Sequence, residues 1–153
     1  MSKCGFVNYF GMQRFGKYRD THKVGIAMLK GDFEGAASTI MEPKPEGVEF
    51  EKTHHARIRW MDRFVGVDTE NGDAKRKAEA TCASRVGRDL GRFMMCEERL
   101  MEALSRRPCD YRGAFWAIPR NTKLMFLHAV QSYVWNKAAS YRIERYGSER
   151  AVL

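Results

Sequence analysis

Residues 8–16 combine side chains that could recognise a nucleobase. The segment contains three aromatic rings, two glycines, one arginine and two side-chain amides. Its glycines, Gly11 and Gly16, interrupt both a helical period and a strand alternation, which predicts a loop. An aromatic face can stack on a base, and amide groups can hydrogen-bond to its edges. From these residues alone, the alternative is a strand end that buries its aromatic rings as ordinary core.

Net charge indicates the class of partner. The 153 residues carry 27 lysines and arginines against 19 acids, a formal charge of +8. A basic balance of this size fits a polyanion, most often a nucleic acid, although a solvated surface would give the same count. The hydrophobic content of 44% is that of a globular protein that can bury a core.

Cysteine and histidine spacing predicts neither a metal site nor a disulfide framework. The four cysteines are far apart and form no Cys-x-x-Cys pair. His54 and His55 are adjacent, so they cannot face one metal ion from a helix. We expect a reduced, intracellular protein in the nucleus or cytoplasm, with an organelle left open. The cysteines are Cys4, Cys82, Cys96 and Cys109.

No run of about 18 apolar residues exists, and the first residues lack the apolar core of a signal peptide. We therefore expect no membrane partner.

Hydrophobic periodicity and capping residues predict a mainly α-helical chain. Strand signals are scarce, and Asp32, Asp73 and either Asn121 or Thr122 are expected to cap helices. Pro108 is expected to stop the helix before it. The predicted helices cover residues 18–29, 33–41, 74–85, 90–104, 111–117 and 121–146, with a turn or two over 56–64.

The final predicted helix carries an apolar stripe that also includes two polar residues, His128 and Gln131. If the stripe is buried, these two side chains need partners, because an unpaired buried amide costs roughly 1–3 kcal/mol. We expect them to be structural rather than reactive. The apolar members of the stripe are Leu124, Leu127, Val134, Trp135 and Ala138.

Two motifs in order give the chain a family resemblance. Residues 8–16 read NYFGMQRFG, and residues 118–121 and 128–136 read IPRN and HAVQSYVWN. These are similar to the NYFGxQRFG, IPRN and HAYQSYLWN motifs of the tRNA pseudouridine synthase D family. Lys123, Phe126 and Val130 stand where arginine, tyrosine and tyrosine are usual. The long segment 17–117 resembles the eukaryotic branch of that family.

This resemblance implies an α+β catalytic domain of which the chain is the helical part. It divides the chain into an active-site loop motif (1–16), a helical segment (17–117) and the helix of the second motif (118–147). Family members use an aspartate in a Gly-x-Lys-Asp-type motif upstream of the loop, and no aspartate precedes Asn8 here. We therefore expect an internal fragment that lacks the catalytic aspartate and is inactive alone.

The same resemblance implies roles for individual residues. Asn8 and Phe10 would line the uridine pocket together with Gln13 and Arg14, and Phe10 would lie against the target base. Arg14 could hold a phosphate or a carboxylate, or it could form only a surface ion pair. On the second motif, the supporting residues would be His128, Gln131 and Asn136.

The implied activity is isomerisation of uridine to pseudouridine in tRNA or another RNA, without metal or cofactor. Lys75, Arg76, Lys77 and Arg120 are candidate RNA contacts, although such a basic run, which continues to Arg92, is often a solvated face. The alternative function is a non-catalytic RNA-binding or scaffold module derived from the synthase. A helical protein–protein adaptor is a third interpretation. A fragment of an enzyme could also associate with itself through an exposed apolar face.

Overall fold

Helices account for the regular structure of the described residues, which are 7–45, 47–90 and 94–147 of this computed structural model. No strand occurs within those ranges, so the prediction of a mainly α-helical chain is confirmed. In chain order the helices are α1 (Met12–Phe15), α2 (Thr21–Leu29), α3 (Phe33–Ile40), α4 (Glu51–Met61), α5 (Gly72–Asp89), α6 (Met95–Arg106), α7 (Tyr111–Ala117) and α8 (Arg120–Tyr146).

Aspartate caps start two of the helices. The Asp32 carboxylate accepts a hydrogen bond from the Gly35 N–H at 2.8 Å, which confirms the predicted cap of α3. The same arrangement opens α7, where Asp110 accepts from the Gly113 N–H at 2.8 Å. Gly31 lies between α2 and α3 at a φ of +75°, a left-handed conformation that favours glycine. These local signals produce the predicted α2–α3 hairpin.

Two predicted caps are wrong. Asn71, not Asp73, caps α5, because its side-chain oxygen accepts from the Asp73 and Ala74 N–H groups at 3.1 and 3.2 Å. Asn71 precedes the first helical residue and so meets the free N–H groups there. The final helix starts at Arg120 after Pro119, so Asn121 and Thr122 are helical residues rather than caps. Proline fixes the backbone at this entry without a capping side chain.

Helix boundaries also differ from the sequence pattern. The helix predicted over 18–29 begins at Thr21, and the turn or two predicted over 56–64 is the eleven-residue helix α4. Within the predicted helix 90–104, regular structure begins at Met95, while Gly91, Arg92 and Phe93 lie outside the described residues. The predicted stop near Pro108 is confirmed, because α6 ends at Arg106.

Two groups of helices share one apolar core. The helix α2 packs against α3 and α8, α5 packs against α4 and α6, and α7 joins the groups through contacts with α3 and α6. The α2–α8 contact is close, because a Cβ atom on Gly25 would lie 2.3 Å from the Phe126 carbonyl oxygen. The largest fully buried apolar side chains of this core are Trp60, Phe115, Met41, Leu100, Met101, Leu104, Ile118 and Val86.

Buried charges are paired within the helical segment. Arg57, only 2% exposed, donates to Glu49 at 3.0 Å, to Glu97 at 2.8 Å and to the Ile40 carbonyl oxygen. These bonds tie α4 to α3 and α6. Burying an unpaired charge costs roughly several kcal/mol of folding free energy. These hydrogen bonds therefore offset the cost of burying the Arg57 guanidinium.

Glu79 on α5 is a second buried charge, with no solvent exposure. Its carboxylate accepts hydrogen bonds from the Tyr111 hydroxyl and the Cys109 N–H. The Arg63 Nε lies 3.5 Å from the same carboxylate. The three partners connect α5 to α7 and to the turn after α4.

The face of α8 that was predicted to be buried is instead exposed. Leu124, Val134 and Trp135 are 37%, 60% and 54% exposed, and His128 and Gln131 are also exposed. The buried side of the helix faces α2 instead. Apolar residues occur on both sides of α8, so the hydrophobic pattern could not indicate which side the neighbouring helices cover. The fully or nearly buried residues of α8 are Lys123, Phe126, Ala129 and Ser132.

Candidate functional site

Asn136 on α8 holds the loop that precedes α1. Its side-chain oxygen accepts a hydrogen bond from the Phe10 N–H at 2.9 Å, and its Nδ2 donates to the Phe10 carbonyl oxygen at 2.9 Å. The neighbouring residue, Trp135, donates from its Nε1 to the Asn8 carbonyl oxygen at 2.8 Å. Backbone polar groups in a loop need such partners. The two side chains therefore fix residues 8–10 along α8.

The glycines of the loop place α1 and its neighbours. Gly16 ends α1 at a φ of +72°, and a Cβ atom there would lie 2.8 Å from Thr21 Oγ1. That hydroxyl donates to the Phe15 carbonyl oxygen at 2.7 Å, so the chain turns tightly from α1 into α2. Gly16 is therefore needed both for its backbone conformation and for the space it leaves.

An aromatic stack joins the loop region to α2 and α8. The His22 ring stacks on the Tyr133 ring with centroids 4.5 Å apart, and the Phe15 ring meets His22 edge-on at 5.5 Å. Burial, and to a smaller extent the nearby Lys23 charge, lowers the pKa of His22 below its ordinary value. The neutral imidazole is thus favoured within this stack.

A hollow of about 390 Å³ opens beside the fixed loop. Phe10 is partly exposed at its edge, and the Arg14 guanidinium carbon lies 5.6 Å from the centre of the Phe10 ring. The Ser132 hydroxyl, which also borders the hollow, donates to the His128 carbonyl oxygen at 2.8 Å. The bordering residues are Phe10, Arg14, His128, Gln131, Ser132 and Trp135.

These groups suit a flat, polar, uncharged or anionic ligand. Phe10 and Trp135 offer aromatic surface, Gln131 offers an amide, and Arg14 offers a fixed positive charge. None of the described residues that border the hollow is a carboxylate. The described border therefore combines groups whose chemistry suits a planar ring, and no acidic nucleophile is among them.

The structure brings together most of the site residues proposed from the sequence. Phe10, Arg14, His128 and Gln131 border the hollow, and Asn136 positions the loop. Asn8 is exposed beside them, and its carbonyl oxygen is used by Trp135. Gln13 is also exposed but does not border the hollow.

Trp135 and Ser132 were not among the residues proposed from the sequence. Both lie on the same side of α8 as His128 and Gln131, at spacings of three, four and seven residues. The helical period could have found them, because residues that far apart share a face. The sequence pattern places Trp135 in an apolar stripe, and this interpretation does not take account of its indole N–H as a hydrogen-bond donor.

The basic residues proposed to bind RNA lie on other parts of the fold. On α5, Lys75 lies over the Phe64 ring at 5.4 Å and Arg76 is 3.7 Å from Asp73, while Lys77 is exposed. Arg120 is exposed in the first turn of α8. It precedes His128 by eight residues, which is about 12 Å of helix.

A search of the described residues finds no group of three or more His, Cys, Asp or Glu side chains that could hold a metal ion. Over the same ranges, no helix combines the length and apolar character that crossing a bilayer requires.

The loop fixed by Asn136 thus carries the Phe10 ring to the edge of an open hollow that the Gln131 amide also borders. Residues 1–152 match the family model described as tRNA pseudouridine synthase D (TruD). The chain therefore belongs to the tRNA pseudouridine synthase D family.

Relatives named as synthases share this sequence over nearly its whole length. The chain is 37% identical to Multisubstrate pseudouridine synthase 7 of Schizosaccharomyces pombe, over 99% of this chain and 20% of that protein. It is 40% identical to the protein named Probable tRNA pseudouridine synthase D in Methanosarcina acetivorans, over 94% of this chain and 29% of that protein. The chain thus spans between a fifth and a third of the length of these relatives.

A solved structure shows the same fold. The crystal structure described as tRNA pseudouridine synthase D (TruD) from Methanosarcina mazei superimposes with a TM-score of 0.67 at 35% sequence identity. The match covers 92% of this chain and 28% of that one. The helical arrangement is therefore that of part of a pseudouridine synthase D structure.

Proposed function

We propose that this chain forms one wall of the uridine-binding cleft of an RNA pseudouridine synthase. The observation that carries the proposal is the clamp of Asn136 on Phe10, which leaves the Phe10 ring at the edge of the hollow. Membership of the family and the names of the relatives support it. The substrate class is RNA, with tRNA as the first candidate.

In this proposal the target uridine leaves its stack and lies against Phe10. A base inside folded RNA cannot be reached by an enzyme, and an aromatic face offsets part of the stacking that is lost. Arg14 lies close enough to Phe10 to hold a phosphate of the same nucleotide or the carboxylate that attacks it. Asn8, exposed on the same loop, would hydrogen-bond to the substrate or to that carboxylate.

The reaction needs an aspartate from outside the border of the hollow. The aspartate would form a bond to the ribose or the base, and the glycosidic bond to uracil N1 would break. The detached uracil would rotate and join the ribose through its carbon five, the bond to the aspartate would break, and the carbon-five proton would be lost while N1 gains one. Since no carboxylate is among the described residues that border the hollow, the 153 residues alone are expected to form no pseudouridine. Conversion of a uridine-containing tRNA by the isolated chain would contradict this part of the proposal.

Replacement of Phe10 tests the cleft in the full-length gene product. Phe10→Ala removes a stacking contact of about 1–3 kcal/mol, so kcat/KM for pseudouridine formation should fall roughly 5- to 150-fold. Phe10→Tyr keeps the ring and should retain most activity. Phe50→Ala is the matched control, because Phe50 is 86% exposed and does not border this hollow.

The outcome also separates the synthase from the scaffold alternative. A full-length protein that binds tRNA but forms no pseudouridine under any condition would favour a non-catalytic RNA-binding module. Equal activity of Phe10→Ala and Phe50→Ala would remove Phe10 from the cleft while leaving the family assignment intact.

The proposed RNA contacts include Lys75, Arg76, Lys77 and Arg120. Each phosphate that a lysine or arginine neutralises makes binding more sensitive to salt. The combined substitutions Lys75→Glu, Arg76→Glu and Lys77→Glu should therefore weaken tRNA binding by the full-length protein. An unchanged affinity at low salt would exclude these three residues. Arg120→Gln tests the second location separately.

An RNA substrate also implies a place inside the cell, in the nucleus or the cytoplasm. Fluorescence microscopy of the tagged full-length protein would test it.

The exposed apolar side chains Val134 and Trp135 of α8 could in addition drive self-association of the 153-residue chain, because both are more than half exposed. Sedimentation velocity of the isolated chain would reveal dimers. A strictly monomeric chain would contradict this idea.

A further inference from the structure

A second hollow, of about 690 Å³, lies between the end of α4, the turn that follows it, and α5. It has different borders from the Phe10 hollow, and it is formed by different helices. Residues 66 and 67 of the turn and the small side chains Ala74 and Ala78 form its apolar part. Its rim carries charged side chains, and these decide what it could bind.

Positive charge exceeds negative charge around this second hollow. Four cations border it, and two acids, Asp62 and Asp68, face them. The excess is two positive charges, four minus two, all within the same set of bordering residues. The cations are Arg59, Arg63, Lys77 and Arg85.

The four cations differ in their availability. Arg59 binds Asp89 at 2.6 Å, and Arg63 is 7% exposed and occupied by the Trp60 carbonyl oxygen and the Tyr111 hydroxyl. Lys77 and Arg85 are exposed, and within the described ranges neither forms an ion pair. The charged groups of Lys77 and Arg85 are therefore available to pair with an anionic ligand.

Lys77 and Arg85 also lie on one side of α5. They are eight residues apart, with Thr81 between them on the same face, so about 12 Å of helix separates their backbones. That distance exceeds the rise of about 3.4 Å per nucleotide of a stacked B-form strand, so the two side chains can reach phosphates of different nucleotides. The spacing suits two phosphates of one strand.

We propose that the second hollow binds the sugar–phosphate backbone of the RNA substrate, with Lys77 and Arg85 on two phosphates. The choice of RNA rests on the proposed function, while the choice of phosphate rests on the rim. No aromatic side chain is among the described residues that border the hollow, so it offers no stacking platform for a base. Contacts of this kind position the RNA without reading its sequence.

The experiment measures the salt dependence of tRNA binding by the full-length gene product. Lys77→Gln together with Arg85→Gln removes two phosphate contacts. The slope of log K against log salt should become shallower by about 1.4 to 1.8. Lys30→Gln together with Arg112→Gln is the matched control, because it removes the same net charge from exposed residues outside this hollow.

Each outcome decides the proposal. A shallower slope in the double variant, with the control close to wild type, supports it. Equal changes in both pairs would show an effect of net charge only, and an unchanged slope would show no contact, so either result overturns it. If the double variant loses its circular-dichroism helix signal, the single variants Lys77→Gln and Arg85→Gln are compared instead, each with an expected change of about 0.7 to 0.9.

The measurement is also independent of catalysis. Phe10→Ala is expected to reduce pseudouridine formation without changing the salt slope. A wild-type protein that forms no pseudouridine, but whose slope depends on Lys77 and Arg85, would overturn the proposed function and keep this inference. A wild-type protein that forms pseudouridine, but whose salt slope does not depend on Lys77 and Arg85, would support the proposed function and exclude the second hollow from RNA binding.

Discussion

The side-chain amide of Asn136 hydrogen-bonds to both main-chain polar groups of Phe10, through its oxygen at 2.9 Å and its nitrogen at 2.9 Å. The two residues are 126 positions apart in the chain. An amide is the one uncharged side-chain group that offers an acceptor and a donor side by side, as a neighbouring strand would. Asn136 therefore fixes the backbone of the residue whose ring faces the hollow.

Asn136→Ala should release the loop. It removes two hydrogen bonds worth about 0.5–1.5 kcal/mol each, and the Phe10 N–H loses its acceptor. We expect faster hydrogen exchange at the Phe10 amide and a loss of stability of about 1–3 kcal/mol in denaturant unfolding.

Ser140→Ala is the control for this change, because it removes only the exposed hydroxyl that lies 3.1 Å from the Tyr9 hydroxyl. Its exchange rate at Phe10 should match wild type. If Asn136→Ala also left that rate unchanged, the clamp would have no role in holding the loop.

Gly25→Ala should destabilise the contact between α2 and α8. The added Cβ atom would lie 2.3 Å from the Phe126 carbonyl oxygen and 2.6 Å from Val130 Cγ2, both nearer than van der Waals contact. Overpacking of this kind costs typically about 1–3 kcal/mol. Thermal or urea unfolding would measure it.

Gly87→Ala provides the matched glycine substitution. There the Cβ atom would meet only Met101 Cβ, at 3.4 Å, and α5 would gain about 0.5–1 kcal/mol of helix propensity. The two variants should thus shift stability in opposite directions. Equal effects would show that the close approach of α2 and α8 can relax.

Glu79→Gln should be strongly destabilising although it conserves shape. Both carboxylate oxygens accept hydrogen bonds, from the Tyr111 hydroxyl and the Cys109 N–H, so the amide nitrogen of glutamine would replace one of the two acceptors. The change also leaves Arg63 without its buried partner. Breaking a buried pair costs about 3–5 kcal/mol, measurable by urea unfolding.

Glu102→Gln is the exposed counterpart of that change. Glu102 binds Arg99 at 3.0 Å and Arg106 at 2.7 Å on the surface of α6, where such pairs contribute at most about 1 kcal/mol. A cost for Glu79→Gln no greater than that for Glu102→Gln would contradict the buried network.

His22 should make stability depend on pH. Burial lowers the pKa of the folded imidazole below its ordinary value of 6.5. Above pH 6.5 the ring is neutral in both states and its contribution to stability is fully present. As the pH falls below 6.5, the unfolded chain binds a proton that the folded chain resists, so the free energy of unfolding decreases.

His22→Phe keeps a ring against Tyr133 and removes the titration. The urea midpoint of wild type should fall between pH 7.5 and pH 5.5 more steeply than that of the variant. Parallel curves would show that His22 is not the group responsible.

Local signals predicted much of the fold, because they act within a few residues. Asp32 precedes a helix at a spacing where its carboxylate reaches the Gly35 N–H, and Pro108 stops α6 wherever the rest of the chain lies. The caps at Asp73 and Asn121 were wrong for the same local reason. Asn71 and Pro119 each stand two residues earlier and determine where each helix begins.

The buried side of α8 could not be predicted locally. Phe126 and Ala129 face α2, while Val134 and Trp135 on other sides of the helix are equally apolar, so only tertiary contact distinguishes them. Motif likeness named Phe10 and Arg14 as pocket residues and His128 and Gln131 as supporting residues, and the structure places all four at the border of one hollow. The sequence did not predict the second hollow, because Lys77 and Arg85 border a cavity only where α5 packs beside α4.

The direct contact between the loop and α8 has a consequence for how this family can vary. Phe10 and Asn136 are hydrogen-bonded to each other, so the chain segment between them is a loop whose two ends are held together. Doubling the length of such a loop costs only about 0.6 kcal/mol in closure entropy. Closure entropy therefore sets only a weak limit on how many helices the segment between Phe10 and Asn136 can contain.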